Sequence, residues 1–208
     1  MKRFGLWMMW IVWMAMPAGA QQVMYSNLKS LVEQRGDTVS ILKVEKRSKN
    51  QIYLLGGNDY RISAIDNPGM SRYLKSRCYA VQVDSVLYIN CRKMRYKRYR
   101  FGHWYAKALY IAGHVFYAAQ PVGQIASSTS TPPDATRLGG EVGNAIHAAG
   151  LTNARVYYEL DLTTGRSLFV GKERMMQLLE GNPEQQALLQ QEQRESAEII
   201  GRYLHQLK

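Results

Sequence analysis

The hydrophobic pattern changes period along this chain, with alternating strand-like runs first and helical spacing last. Near the start, Ser26 or Asn27 caps a short helix with Leu28, Leu31 and Val32 on one face, and Gly36 supplies its left-handed exit. Thr38–Glu45 and Gln51–Leu55 are β-branched and apolar on either side of a polar KRSKN run, which predicts a hairpin. Gly56-Gly57-Asn58-Asp59 then turns the chain into a third strand, Tyr60–Ala64. Asn67-Pro68 opens a helix through Lys75. Tyr79–Val83 and Val86–Asn90 read as strands joined at Asp84-Ser85, and Ala108–Ile111 and His114–Ala118 flank Ala112-Gly113 in the same way.

A Ser/Thr/Pro run, Ala126–Pro133, interrupts the pattern as an exposed linker or loop. Beyond it, Leu138–Gly150 is built of small residues with Gly139 and Gly143 in G-x-x-x-G spacing. Glu141, Asn144 and His147 interrupt that run, so close packing against the domain is expected rather than helix association in a membrane. Arg155–Leu162, Thr163-Thr164-Gly165 and Ser167–Val170 predict a hairpin. Lys172–Glu180 is a short helix ended by Gly181. Asn182-Pro183 opens a final helix with Leu189, Ile200, Tyr203, Leu204 and Leu207 in one stripe. The expected fold class is α+β: a mainly antiparallel β-sheet domain with short helices over residues 21–125, a linker over 126–135, and a small-residue helix, β-hairpin and long C-terminal helix over 136–208.

The first 20 residues change the picture of where the fold operates. Lys2 and Arg3, the apolar run Phe4–Met16 and Ala18-Gly19-Ala20 have the form of a secretory signal peptide cleaved before Gln21. The run is short for a membrane span, and no cysteine follows the cleavage site to take a lipid. Removing Lys2 and Arg3 from 27 basic residues leaves 25 against 16 acidic, a net +9.

Export makes a disulfide permissible, and the chain has two cysteines. With a pairing centre between residues 84 and 85, Cys78 lies opposite Cys91 as a non-hydrogen-bonded pair, roughly 4.5 Å apart at Cα. A cross-strand disulfide is the expectation. The alternative is two free thiols packed as small hydrophobes.

Charge then singles out one stretch. Between Asp84 and Asp134 there is no acidic residue, while Arg92, Lys93, Arg95, Lys97, Arg98, Arg100 and Lys107 are basic. Tyr96, Tyr99, Phe101, Trp104 and Tyr105 are interleaved with them. Guanidinium and ammonium groups offer charge-assisted hydrogen bonds to phosphate, sulfate or carboxylate, and the rings offer flat faces to sugars. The candidate binding residues are Arg92, Lys93, Arg95, Tyr96, Lys97, Arg98, Tyr99, Arg100 and Trp104. The alternative is a strand edge protected by charge. Export argues against nucleic acid as the partner and for an anionic envelope lipid or glycan, or an envelope protein, with association at a membrane surface.

Catalytic signals are weak. The four histidines, at 103, 114, 147 and 205, lack metal-ligand spacing, and there is no G-x-S-x-G elbow or P-loop. Asp59, Asp66, Glu159 and Asp161 leave a carboxylate acid/base pair open. Glu159 and Asp161, same-face neighbours on a strand, are expected to be solvated. No catalytic residue, metal site or cofactor is assigned.

The segments VEKRSKNQIYLLGGNDYRI, LKSRCYAVQVDSVLYINCRKMRYKRYRFGHWYA, AAQPVG and VYYELDLTTG resemble a family of uncharacterised exported proteins of Bacteroidota. The resemblance implies a Gram-negative envelope, periplasmic or outer-membrane associated, and carries over no catalytic residue. In that group the triplets Asp37-Thr38-Val39 and Asp84-Ser85-Val86 also resemble acceptors of O-linked glycans, although a bare hairpin turn is the favoured reading of Asp84-Ser85. The functional expectation is an exported, non-enzymatic binding module, with a scaffolding subunit of an envelope complex as the alternative and a carboxylate hydrolase behind it.

Overall fold

The computed structural model of the protein describes residues 22–39, 41–129, 150, 152–193 and 195–207. The expected signal peptide, the second half of the Ser/Thr/Pro run and the small-residue segment up to residue 149 lie outside the described residues. The fold is α+β and its strands pair antiparallel. They are β1 (Val23–Tyr25), β2 (Asp37–Thr38), β3 (Leu42–Lys46), β4 (Tyr60–Ala64), β5 (Ala80–Val83), β6 (Val86–Asn90), β7 (Arg95–Tyr96), β8 (Tyr99–Arg100), β9 (Tyr105–Ile111), β10 (His114–Ala119), β11 (Val156–Leu160) and β12 (Ser167–Phe169). Ten of them form one sheet in the order β12-β11-β10-β9-β6-β5-β1-β2, and the β3–β4 hairpin joins it where Tyr60 of β4 pairs with Tyr105 of β9. β7 and β8 pair with each other alone. Strands from both sides of the Ser/Thr/Pro run share the main sheet, because β11 pairs with β10 along its whole length.

β9 shows how the two faces are covered. Tyr105 and Ile111 point to one face. Over Tyr105, α3 (Pro68–Ser76) and the β3–β4 hairpin bury Leu42, Ile62 and Leu74. Over Ile111 and Phe116, the C-terminal helices α5 (Lys172–Leu178), α6 (Pro183–Gln191) and α7 (Ala197–Gln206) bury Met175, Leu179, Leu189, Ile200, Tyr203 and Leu204. Each such side chain contributes about 1.5–3 kcal/mol when fully removed from water. On the opposite face, Ala80, Ala106, Ala108 and Ala119 leave room for Met94, Phe101, Tyr117 and Tyr158. That face is covered by α1 (Leu28–Val32), α4 (Gln124–Thr129) and the segment carrying β7 and β8, with Leu31, Ile125 and Met94 as their buried anchors.

Local chemistry explains the elements that match expectation. Asn27, Asn67 and Asn182 each accept a backbone N–H from three residues on, capping α1, α3 and α6. The Asp84-Ser85 turn takes left-handed φ at both residues, and β5 and β6 pair in the expected register, Val83 with Val86 and Ala80 with Ile89.

Five expectations are corrected. Gln51–Leu55 is not a strand but lies in helix α2 (Lys49–Leu55), because Ser48 and Gln51 close a capping box, and β3 pairs with β4 instead. Gln34, not Gly36, takes the left-handed exit of α1. Gly36 is needed because a Cβ there would collide with the Val23 side chain. Val32 does not share the buried face of α1 but is 49 % exposed. Ala126–Thr129 is helical rather than looped, within α4 anchored by Ile125. The final helix is two, broken after Gln191 and restarted by Ser196, which caps α7.

The cysteines are also corrected. Both are free and buried. Cys91 faces the cluster of Ala80 and Ile89, whereas Cys78 faces the cluster of Leu74 and Val81 on the other side. The register count holds as far as Tyr79, whose carbonyl accepts the Asn90 N–H (2.9 Å), but the Cys78 N–H donates to the Tyr73 carbonyl at the end of α3 (3.1 Å) instead of joining the ladder.

Candidate functional site: a cationic hairpin at one end of the sheet

Between β6 and β9 the chain leaves the sheet for 14 residues, Cys91 to Trp104, and this excursion holds most of the basic stretch. Asn90, fully buried, fixes its departure. Its Oδ1 accepts the Arg92 N–H (3.2 Å), while Nδ2 donates to the carbonyls of Cys78 (2.8 Å) and Leu74 (3.1 Å). A 3₁₀ turn over Cys91–Lys93 follows, then Met94, fully buried. Phe101, buried at the other side of the hairpin, donates its N–H to the Met94 carbonyl (3.4 Å) and meets the Tyr158 ring edge-on at 4.7 Å. Met94 and Phe101 therefore clamp the base of the β7–β8 hairpin into the core.

Tyr96 and Tyr99 form the inner side of the hairpin. Tyr96 packs on the core and lies 5.8 Å from Tyr158. The Tyr99 ring lies so close over Gly123 that any Cβ there would strike it. The tip, Lys97-Arg98, turns back over these rings. Lys97 Nζ is 5.4 Å from the Tyr96 centroid, and the Arg98 guanidinium is 5.2 Å from that of Tyr99 and donates to its hydroxyl (3.2 Å). Tyr96, Lys97, Arg98 and Tyr99, with Gln124 of α4, enclose a shallow hollow of about 390 Å³.

Arg92, Lys93, Arg95, Lys97, Arg98 and Arg100 are all exposed, and none takes part in an ion pair with another described residue. Arg95 and Arg100 are direct cross-strand partners, an arrangement of like charges that costs stability. Arg92 and Lys93 sit on the 3₁₀ turn.

Trp104 stands apart from the hollow. Half-buried at φ +76°, it is flanked by Arg47 (5.4 Å) from the β3–α2 connection, Lys75 (5.5 Å) from α3 and Arg61 (5.6 Å) from β4. Spacing along the chain gives no sign of these three, nor of Gln124. Arg47 is inward: it donates to the carbonyls of Gly56 (2.7 Å), Asn58 (2.9 Å) and Gln51 (2.9 Å), and burial lowers its pKa, with Asp59 acting in the opposite sense.

Three of the carboxylates left open for acid/base chemistry are engaged by different partners. Asp59 accepts from Arg155 Nε (2.9 Å), Asp161 accepts the N–H groups of Thr163 and Thr164 in a turn, and Asp66 is exposed. Glu159 corrects the expectation of a solvated side chain. It is 5 % exposed, bound by Arg174 (2.8 and 3.1 Å) and by His114 Nδ1 (2.6 Å). Among the described residues no group of three or more His, Cys, Asp or Glu is placed to hold a metal, and no helix is long and apolar enough to cross a membrane.

One family's model matches this chain over residues 23–208, that of a family of unknown function (DUF6563). No curated protein and no solved structure matches it.

Proposed function

We propose, for a chain that belongs to this family of unknown function, that it is an exported, non-enzymatic protein of the cell envelope, periplasmic or outer-membrane associated, whose β7–β8 hairpin binds an anionic envelope component. The observation that carries the reading is the hairpin itself. Two facing arginines stand on its outer side and a Lys-Arg tip closes a hollow with tyrosine walls, all four cations without a described carboxylate partner. Opposed arginines destabilise a two-stranded ladder, so a compensating anion is the natural counterpart. Phosphate, sulfate and carboxylate groups all satisfy guanidinium donors, and the tyrosine faces suit a sugar ring beside the charge.

The test replaces Arg95, Lys97 and Arg98 by Gln. All three are exposed, so the fold should persist by circular dichroism. Retention on heparin, lipopolysaccharide and anionic vesicles should fall, and the slope of log affinity against log salt should flatten by roughly one per charge removed, by analogy with polyelectrolyte binding. Preference among the three surfaces distinguishes sulfated glycan, lipid A phosphate and phospholipid as the source. Equal retention of wild type and variant at low salt would reduce the hairpin to a protected edge.

A further inference from the structure

Helix α2 presents the opposite surface chemistry. It buries Ile52 alone, while Tyr53, Leu54 and Leu55 are 53, 76 and 72 % exposed. Leu54 and Leu55 are the most exposed large apolar side chains among the described residues. The helix is not loosely held. Ser48 and Gln51 close its N-terminus, and the Arg47 guanidinium bonds the Gln51 carbonyl within the helix and those of Gly56 and Asn58 after it. Three apolar side chains are thus fixed facing water on an ordered support.

Their neighbours are cationic. Lys46 and Lys49 flank the helix, and Arg61 and Lys75 stand around Trp104. None of these four is in an ion pair among the described residues. Of the nearby carboxylates, Glu45 bonds Lys43 (2.7 Å) while facing Arg61 across the ladder, and Asp59 is taken by Arg155. The turn after α2 touches the chain just beyond the cationic hairpin. The Asn58 N–H donates to the His103 carbonyl (2.8 Å), and a Cβ on Gly102 would stand 3.2 Å from the Gly57 Cα.

We infer that α2 is a membrane-surface wedge: Tyr53, Leu54 and Leu55 enter the headgroup–acyl boundary of an anionic bilayer while Lys46, Lys49, Arg61 and Lys75 meet its phosphates. Three side chains are too small a patch for a stable protein interface, which takes about 800 Å² per partner. A bilayer needs only a tip, and Tyr and Trp beside Leu, ringed by Lys and Arg, is the composition that interfaces favour. The two terms reinforce each other, because cations near an anionic leaflet add electrostatic attraction to the burial of the leucines. The wedge rests on α2 and its four cations and goes beyond the hairpin reading.

The test uses vesicles of phosphatidylcholine, alone or mixed with phosphatidylglycerol, and the protein in the form in which it accumulates in cells, identical for each variant. Leu54→Ser/Leu55→Ser should lower co-sedimentation with the anionic vesicles at least about tenfold, because two exposed leucines lose their apolar destination. It should leave heparin retention unchanged. Leu54→Trp should strengthen vesicle binding. Wild type should prefer anionic over neutral vesicles, and binding that survives high salt should vanish in the serine variant. Equal vesicle binding by wild type and the serine variant overturns the wedge, and so does equal wild-type binding to neutral and anionic vesicles. Failure of the hairpin reading looks different: wild type would ignore heparin while the leucine-dependent vesicle binding remained.

Discussion

Glu159 is a buried carboxylate whose three hydrogen bonds come from Arg174 and His114. Burial pushes its pKa up, but the bonds from Arg174 and then from His114 more than offset this, and the group lies below its ordinary value of 4.5. The folded protein therefore holds this proton less tightly than the unfolded chain. The stability it contributes is present above the ordinary carboxylate value and is lost as pH falls through the lowered one. Glu159→Gln should cost about 2 kcal/mol by urea unfolding at neutral pH, less than for a fully buried pair because Arg174 and His114 are 31 and 42 % exposed. It should also flatten the acid limb of the stability profile. A variant with an unchanged acid limb would show the carboxylate to be idle. The thiols give a second prediction at this scale. Burial pushes Cys78 up to about 11 and Cys91 also upward, so reactive thiolate is scarce and hidden. Alkylation should be slow in the native protein and complete on denaturation, and a reductant should leave the melting temperature unchanged. A drop in melting temperature on reduction would establish a Cys78–Cys91 bridge after all.

The β7–β8 hairpin depends on its anchors as much as on its charges. Met94→Ala should cost about 2–5 kcal/mol, the range for emptying a core site. It should also weaken heparin retention although no charge is lost, because the hairpin base comes free. Met94→Leu should largely restore both. At α2, Ser48→Ala should cost about 1 kcal/mol and reduce helicity. Much of this layer was legible in the sequence. The Asn-Pro openings of α3 and α6, the turns at Asp84-Ser85 and Ala112-Gly113, and the register of β5 with β6 follow from chemistry within a few residues. What escaped had its cause elsewhere or in a competing signal. Gln51–Leu55 has strand-like composition, and only the Ser48-to-Gln51 spacing betrays the helix. Glu159 is buried because Arg174 arrives from α5. The site was half legible: the run of cations and tyrosines could be read directly, but Trp104 leaves that group for Arg47, Arg61 and Lys75, whose approach depends on how β3, β4 and α3 pack.

Across the whole molecule, the β3–β4 hairpin meets the main sheet at one register pair, Tyr60 with Tyr105, while β9 and β10 share four. Leu42 and Ile62 bury it against α3, and Asn58 and Asp59 just before β4 bond His103 and Arg155, so the rest of the strand pair is held by apolar contact rather than ladder. Backbone hydrogen bonds are directional and resist sliding, whereas apolar contact tolerates small displacements. The consequence is a hierarchy of opening. Amides of β3 and β4 should exchange with deuterium well before those of β9 and β10, as a unit with its own free energy of opening. Uniform exchange across all four strands would contradict it. A hairpin that can tilt without unzipping the central strands lets α2 change its angle to a surface while the cationic hairpin, clamped by Met94 and Phe101, stays fixed.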